Sequence, residues 1–268
     1  MPDRQTVLSS TAVTKSFGGN HVLRGVSIDV LETEIVGLVG PNGSGKTTML
    51  NCLSGFLSPD SGSITTLGRD TTSLPAWRIS SLGSRRTFQL PAQPMKMTAM
   101  EVMLAGADLP VGSSVIRGLL HPRQRRAEER EAINRASELL ELLRIAHVRH
   151  EVAGRLSGGQ QKLLSLGVAL MTRPRILLLD EPTAGVNPTL RRELVDQLHL
   201  IRELGTTLMI IEHDMQFVAD LCDRVYVLDK GEIIADTVPS RLRDNPRVVE
   251  AYLGTTTTAR RAVEEGAA

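Results

Sequence analysis

An α/β fold built on a largely parallel sheet is the architecture this sequence predicts, and three observations predict it. Strand-like apolar runs alternate with helical patterns along most of the 268 residues. One of those runs ends in a glycine-rich loop that leads straight into a helical pattern. The stretch from about Thr98 to Ala153 holds no good strand, so a helical lobe is expected as an insertion into the α/β core.

The elements follow in order. Ile35-Val36-Gly37-Leu38-Val39 is a short apolar run, as a strand buried on both faces requires. From Lys46 to Phe56, helical spacing puts Met49, Leu50, Leu53 and Phe56 on one face. A helix over Arg125 to Ile145 is expected to bury a seam of Ile133, Ala136, Leu140 and Leu143. The basic run His121 to Arg126 leads directly to Glu128, Glu129 and Glu131 and reads as a solvated approach to that helix. Ile176 to Leu179 and Thr207 to Ile211 are two more buried strands. Between them Asn187 caps a helix whose first position is Pro188. Leu190, Leu194, Leu198, Ile201 and Leu204 keep helical spacing until Gly205 stops it. Val225 to Leu228 and Glu232 to Ile234 flank Asp229-Lys230-Gly231, a hairpin signal. The tail from Thr255 to Ala268 is small, polar and charged, and is expected to be disordered.

Composition excludes several classes. The chain has 31 basic and 30 acidic side chains, a net charge of +1, and 41% hydrophobic residues. That describes a globular body without the basic surplus of nucleic-acid domains, so no nucleic-acid partner is expected. Its 4 Phe, 2 Tyr and 1 Trp are too few for a base-stacking platform. The best candidate for a membrane span, Val102 to Leu120, is interrupted by Asp108, Pro110, Gly112 and Arg117. The N-terminus lacks an apolar signal region, and a cytosolic body is expected. Cys52 and Cys222 have no Cys or His at metal spacing and are expected to be buried thiols.

Chemistry enters at Gly40-Pro41-Asn42-Gly43-Ser44-Gly45-Lys46-Thr47, which fits G-x-x-x-x-G-K-[ST] between a strand and a helix. Backbone N–H groups of such a loop converge on phosphate oxygens. Lys46 adds a point charge for the β and γ phosphates, and Thr47 offers a hydroxyl to Mg²⁺. The chain is therefore expected to bind a nucleoside triphosphate. Ile176 to Leu179 then delivers Asp180 and Glu181 to the carboxyl edge of the sheet, where ligands of open α/β sheets sit. Asp180 is the candidate metal ligand and Glu181 the candidate base or water-positioner.

Leu156-Ser157-Gly158-Gly159-Gln160 precedes another helical pattern, with Leu163, Leu166 and Leu170 on one face. Hydroxyl, open N–H groups and a helix N-terminus make a second anion site. Two phosphate cradles for one nucleotide suggest that a second subunit completes each site. With these motifs the sequence resembles the ATP-binding subunits of ABC transporters, from about Val7 to Gly254. The resemblance implies a P-loop ATPase core with a mixed sheet, an N-terminal antiparallel β part and an inserted α-helical subdomain. It implies a single ATP-binding domain over 5–254, the helical subdomain at about 90–165, and the cofactors ATP and Mg²⁺. The phosphate loop then extends through Thr48. Gln89, in Arg86-Thr87-Phe88-Gln89, matches the glutamine that contacts Mg²⁺ and water. His213, in Ile210-Ile211-Glu212-His213-Asp214, matches the histidine at the γ-phosphate. Phe17 matches the aromatic that stacks on adenine; a core phenylalanine of the first hairpin is the competing reading. Ser157, Gly158, Gly159 and Gln160 match the signature that reaches a partner subunit's nucleotide.

Arg86 to Gln89, Ala184-Gly185-Val186-Asn187-Pro188 and Glu250-Ala251-Tyr252-Leu253-Gly254 look like the ATPases of branched-chain amino acid uptake systems, which implies import of branched-chain amino acids or related small polar solutes. The partners implied are a second ATPase subunit, identical or related, integral membrane permeases and an extracytoplasmic solute-binding protein, with the chain peripheral on the cytoplasmic face of the membrane. Export of lipids or other solutes, or a non-transport ABC ATPase, is the alternative. Chromosome and repair ATPases need long heptad arms between Gln89 and Ser157, and this interval accommodates only a small lobe. A P-loop nucleotide kinase leaves Leu156 to Gln160 and His213 without a role. Three departures stand out: Thr33 where many members turn on glycine, which a type I turn tolerates, Asn187 for a common aspartate, and Val168 for a usual arginine.

Overall fold

The computed structural model describes residues 4–87, 96–107 and 122–252. Gln89, Leu253, Gly254 and the expected tail at 255–268 lie outside the described residues. The chain divides into two compact units, one of Met1–Arg86, Arg175–Thr183 and Leu198–Ala268, the other of Thr87–Pro174 and Ala184–Gln197.

The first unit carries both sheets. β1 (Thr6–Phe17) and β2 (Asn20–Leu31) form an antiparallel hairpin, with Phe17 opposite Asn20 at its end. β3 (Ile35–Val39) is buried at every position, and α1 (Lys46–Leu53) follows the glycine-rich loop. β4 (Ser61–Thr66) and β5 (Arg69–Asp70) complete a four-stranded antiparallel sheet in the order β2-β1-β4-β5. After the short helix α2 (Ala76–Ser81) comes β6 (Ser84–Arg86). With β7 (Ile176–Asp180), β8 (Thr207–Ile211), β9 (Arg224–Asp229) and β10 (Glu232–Thr237) it builds a six-stranded sheet ordered β10-β9-β3-β8-β7-β6. Strands β9 to β6 are parallel and β10 is antiparallel, which makes the sheet mixed. One core draws Val13, Leu23 and Ile64 from the antiparallel sheet, Leu38, Leu178 and Met209 from the mixed sheet, and Met49, Leu50 and Leu53 from α1.

The second unit is helical among its described residues. It holds α3 (Ala99–Ala105), α4 (Pro122–Leu142), α5 (Gly158–Leu170) and the first part of α6 (Pro188–Glu203). The rest of α6 and α7 (Met215–Leu221) belong to the first unit. The helical unit runs beyond the interval 90–165 read from sequence, since it takes in all of α5 and the first part of α6. No helix of the described residues is long and apolar enough to cross a membrane.

Several sequence expectations shift. Phe56 is 55% exposed, because α1 stops at Leu53 and the chain turns at Ser54 and Gly55. Ile133 is also exposed; the buried seam of α4 runs through Ala132, Ala136, Leu139, Leu140 and on to Leu143, and one residue of offset rotates Ile133 about 100° from Ala132. Leu204 lies just past the end of α6 and is exposed. Thr33 does not take a type I turn: its φ of 58° is left-handed. It is held there by its N–H, which donates to Thr207 Oγ1 at 2.9 Å, and by its hydroxyl, which donates to the Glu32 carbonyl.

Candidate active site

The phosphate loop leaves β3 at Gly40, where backbone packing dictates the residue. A Cβ at Gly40 would lie 2.0 Å from the Leu228 carbonyl oxygen, so only glycine lets the loop pass so close to β9. The β9–β10 turn ties in from the other side, the Gly231 N–H donating to the Ser44 carbonyl at 3.0 Å. Lys46, the first residue of α1, is buried and folds back on the loop: Nζ donates to the Gly40 carbonyl at 2.8 Å and the Pro41 carbonyl at 2.9 Å. Burial pulls the Lys46 pKa below its ordinary value, and the nearby Glu181 carboxylate partly opposes that pull. Asn42, Gly43 and Thr47 are exposed, while Thr48 is half-buried.

Two features fit this loop to a polyphosphate. Ser44 Oγ is buried with no hydrogen-bond partner among the described residues, and a buried hydroxyl without a partner is costly. Gly45 caps α1 without a side-chain hydrogen bond, which leaves the first-turn N–H groups for an anion. For a metal, the donors are the Thr47 hydroxyl and the Asp180 carboxylate, hard oxygens of the kind Mg²⁺ takes. No cluster of three His, Cys, Asp or Glu occurs among the described residues, and Mg²⁺ beside a phosphate needs none, since it uses one or two protein ligands.

Asp180 ends β7, and its Oδ2 accepts from Arg86 Nη2 at 2.8 Å, an ion pair with side-chain exposures of 10% and 7%. Arg86 Nη1 also donates to Asn51 Oδ1 at 2.6 Å and Ser54 Oγ at 3.2 Å, and the guanidinium lies 5.7 Å from the centre of the Phe56 ring. Thus β6, α1 and β7 are joined at the candidate metal ligand.

Glu181 departs from the strand with φ of 43°, a left-handed conformation costing about 1–2 kcal/mol for a residue with a Cβ. Its N–H donates to the Ile211 carbonyl at 3.0 Å, so the turn is anchored on β8. His213 follows β8 with a half-exposed ring, and its Nδ1 is 4.0 Å from Glu181 Oε1 and 3.7 Å from Glu212 Oε2. The first unit therefore brings together the phosphate loop, Asp180, Glu181 and His213. Phe17 stands at the end of the β1–β2 hairpin, 49% exposed and outside the core, with Lys15 Nζ 5.8 Å from its ring centre.

The second unit holds the Ser157 to Gln160 motif. Ser157 caps α5 in a capping box: Gln160 N–H donates to Ser157 Oγ at 3.3 Å, and Ser157 N–H donates to Gln160 Oε1 at 2.9 Å. Gly158 borders open space, whereas a Cβ at Gly159 would lie 2.3 Å from Leu190 Cδ2. Lys162 Nζ donates to the Ala184 carbonyl. Asn187 Oδ1 accepts from Leu190 N–H at 2.9 Å and so caps α6. Val168 packs against Gly106, where a Cβ would meet its Cγ1 at 2.7 Å.

Sequence reasoning did not assign Arg86, Thr183 and Glu212 to the site. Arg86 and Glu212 stood inside motifs singled out for neighbouring residues, and only the fold shows that their side chains return to the site.

Comparison with known proteins places these features in a family context. A family model described as ABC transporter matches residues 23–184. The high-affinity branched-chain amino acid transport ATP-binding protein BraF of Pseudomonas aeruginosa is 39% identical, covering 92% of this chain and 98% of that protein. LivG of Escherichia coli, named for the same kind of transport, is 37% identical over 93% of this chain and 98% of its own length. Among solved structures, the ADP conformation of an ATP-binding cassette of an ABC transporter matches with a TM-score of 0.81 at 35% identity, covering 93% of this chain and 99% of that one. A component of the cbiONQ transporter complex of Clostridium perfringens matches with a TM-score of 0.76 at 25% identity, covering 97% and 99%.

Proposed function

The chain belongs to the ABC transporter family as an ATP-binding, ATP-hydrolysing subunit, and from that premise we propose that it drives uptake of branched-chain amino acids. The observation that carries the substrate reading is its likeness over nearly the whole chain to proteins named for that transport. Its partners in this reading are a second ATPase subunit, integral membrane permeases and an extracytoplasmic solute-binding protein, and it works at the cytoplasmic face of the membrane.

In hydrolysis backbone N–H groups of the loop Gly40 to Thr48, Pro41 excepted, bind the phosphates, and Lys46 exchanges the Gly40 and Pro41 carbonyls for phosphate oxygens. Thr47, Asp180 and Gln89 would hold Mg²⁺, which would supply charge neutralisation for the bound polyphosphate. Glu181 orients or deprotonates the attacking water, and His213 steadies the charge that develops on the γ-phosphate. Phe17 stacks on adenine. Ser157 to Gln160 of each subunit complete the site of the other, so closing the dimer assembles two competent sites. The geometry supporting the roles of Lys46, Glu181 and His213 is that the three lie near one another, beside Asp180 at the end of β7.

Reconstitution with permeases and a solute-binding protein of a branched-chain amino acid uptake system tests the transport reading. ATP-dependent accumulation of labelled leucine, isoleucine or valine, abolished by Glu181→Gln, is expected. Accumulation of an unrelated solute alone would overturn the substrate, and recovery of the native chain with DNA or ribosomes and no membrane subunit would overturn transport.

A further inference from the structure

Glu212 is fully buried, and its carboxylate is the acceptor at which two turns of the candidate active site meet. Oε1 accepts from the Thr183 N–H at 2.9 Å and from the Thr183 hydroxyl. Oε2 accepts from the His213 N–H at 3.0 Å and the Asp214 N–H at 3.4 Å. Among the described residues no Lys or Arg nitrogen lies within ion-pair distance of it, and the His213 ring nitrogen stands at 3.7 Å from Oε2, so backbone and hydroxyl donors make its hydrogen bonds. Burying a carboxylate is expensive unless its oxygens are hydrogen-bonded.

What the carboxylate secures is local geometry. Thr183 lies in the turn that follows Glu181, whose left-handed backbone is sparsely populated for a residue with a Cβ and persists where the surroundings hold it. One end is held by the Ile211 carbonyl, and the other by Glu212. On the second side the same carboxylate holds His213 and Asp214, and Asp214 caps α7 by accepting from the Gln216 and Phe217 N–H groups.

We infer that Glu212 is a positioning residue for ATP hydrolysis, a buried clamp that sets the placement of Glu181 against His213. This rests on the proposed roles of Glu181 and His213. The clamp acts on the chemical step and not on nucleotide binding, because neither turn it joins belongs to the phosphate loop. A shift of about 1 Å in such groups costs on the order of 100-fold in rate.

The full-length chain tests this with Glu212→Gln, Glu212→Asp and Thr183→Val, each read by steady-state ATPase activity and by binding of a fluorescent ATP analogue. Glu212→Gln keeps the shape but turns one acceptor into a donor facing N–H groups. It is expected to lower kcat about 10- to 100-fold with KM and analogue affinity within about twofold, and Glu212→Asp to restore part of kcat. Thr183→Val removes one donor and keeps the carboxylate, so it decides the matter if Glu212→Gln does not fold. It is expected to lower kcat severalfold at unchanged affinity and to add little when combined with Glu212→Gln. Full kcat in both single variants, or a loss of kcat matched by loss of binding, would overturn the inference. Glu181→Gln and His213→Ala serve as controls: normal turnover in either means that the underlying assignment has failed, whatever Glu212 does.

Discussion

Replacing Arg86 by methionine should unfold this protein far more readily than loss of one surface charge would. The Arg86–Asp180 pair is almost fully enclosed, with side-chain exposures of 7% and 10% and a separation of 2.8 Å. Removing one partner of such a pair leaves a buried charge without compensation, at about 3–5 kcal/mol. The hydrogen bonds from Arg86 to Asn51 and Ser54 go with it, while methionine keeps most of the volume over Phe56. For a chain of this size each kcal/mol moves Tm by about 2–4 °C, so a fall of about 6–20 °C is expected. Calorimetry or chemical unfolding of the full-length chain measures it. The diagnostic variant is the double change Arg86→Met with Asp180→Asn. Neutralising the abandoned carboxylate should recover about 1–3 kcal/mol, a neutral amide being far cheaper to bury than a charge. A loss below about 1 kcal/mol for Arg86→Met, the value of an exposed pair, would show that water reaches Asp180 and refute the reasoning. So would a double variant no more stable than the single one.

Glu181→Gln should reduce ATP turnover by about 10²–10⁴-fold, the usual contribution of a positioned base, while ATP binding persists and the dimer accumulates in its ATP-bound form, as size-exclusion chromatography with ATP will show. Gly40→Ala should abolish binding of a fluorescent nucleotide, because the Leu228 carbonyl at 2.0 Å forces the loop to move; unchanged affinity would mean that β9 yields instead. Ser157→Arg should abolish hydrolysis and leave nucleotide binding to the isolated subunit intact, and normal hydrolysis would contradict completion of the site by a partner. Burial pushes the Cys52 thiol up to about 11 and raises that of Cys222 as well, so neither should react with iodoacetamide at pH 8 in the native chain, and both should react once the chain is denatured.

The parts of the fold legible in the sequence were those with one strong periodicity. Ile35 to Val39 and Thr207 to Ile211 are wholly buried strands, and continuous apolar runs announce them. The Asn187-Pro188 start of α6 was legible because both residues act locally. The antiparallel sheet was harder to read, for a visible reason. β1 shifts register between Ser10 and Val13, with Ala12 at φ of 49°, and such a bulge breaks the alternation that identifies a strand. β4, Ser-Gly-Ser-Ile-Thr-Thr, buries only Ile64 and Thr66. Thr33 misled for a related reason: its left-handed turn is stabilised by Thr207, a residue far along the chain.

The site shows the same division. Residues expected to touch the nucleotide stand in contiguous motifs, because a phosphate is wrapped by consecutive N–H groups. Residues that hold those groups in place come from wherever the fold delivers them, as Arg86 to Asp180 and Glu212 to Thr183 show. Their effect on charge follows directly. Asp180 is balanced by Arg86, and Lys46 lies in the field of Glu181 while donating to two loop carbonyls. In the proposed function, binding of Mg·ATP is then an exchange of partners, carbonyls for phosphate oxygens at Lys46, and not the burial of an unpaired lysine charge. Most of the desolvation of these groups has already been met in folding. In the proposed function, that leaves the binding energy of the triphosphate for drawing two subunits together.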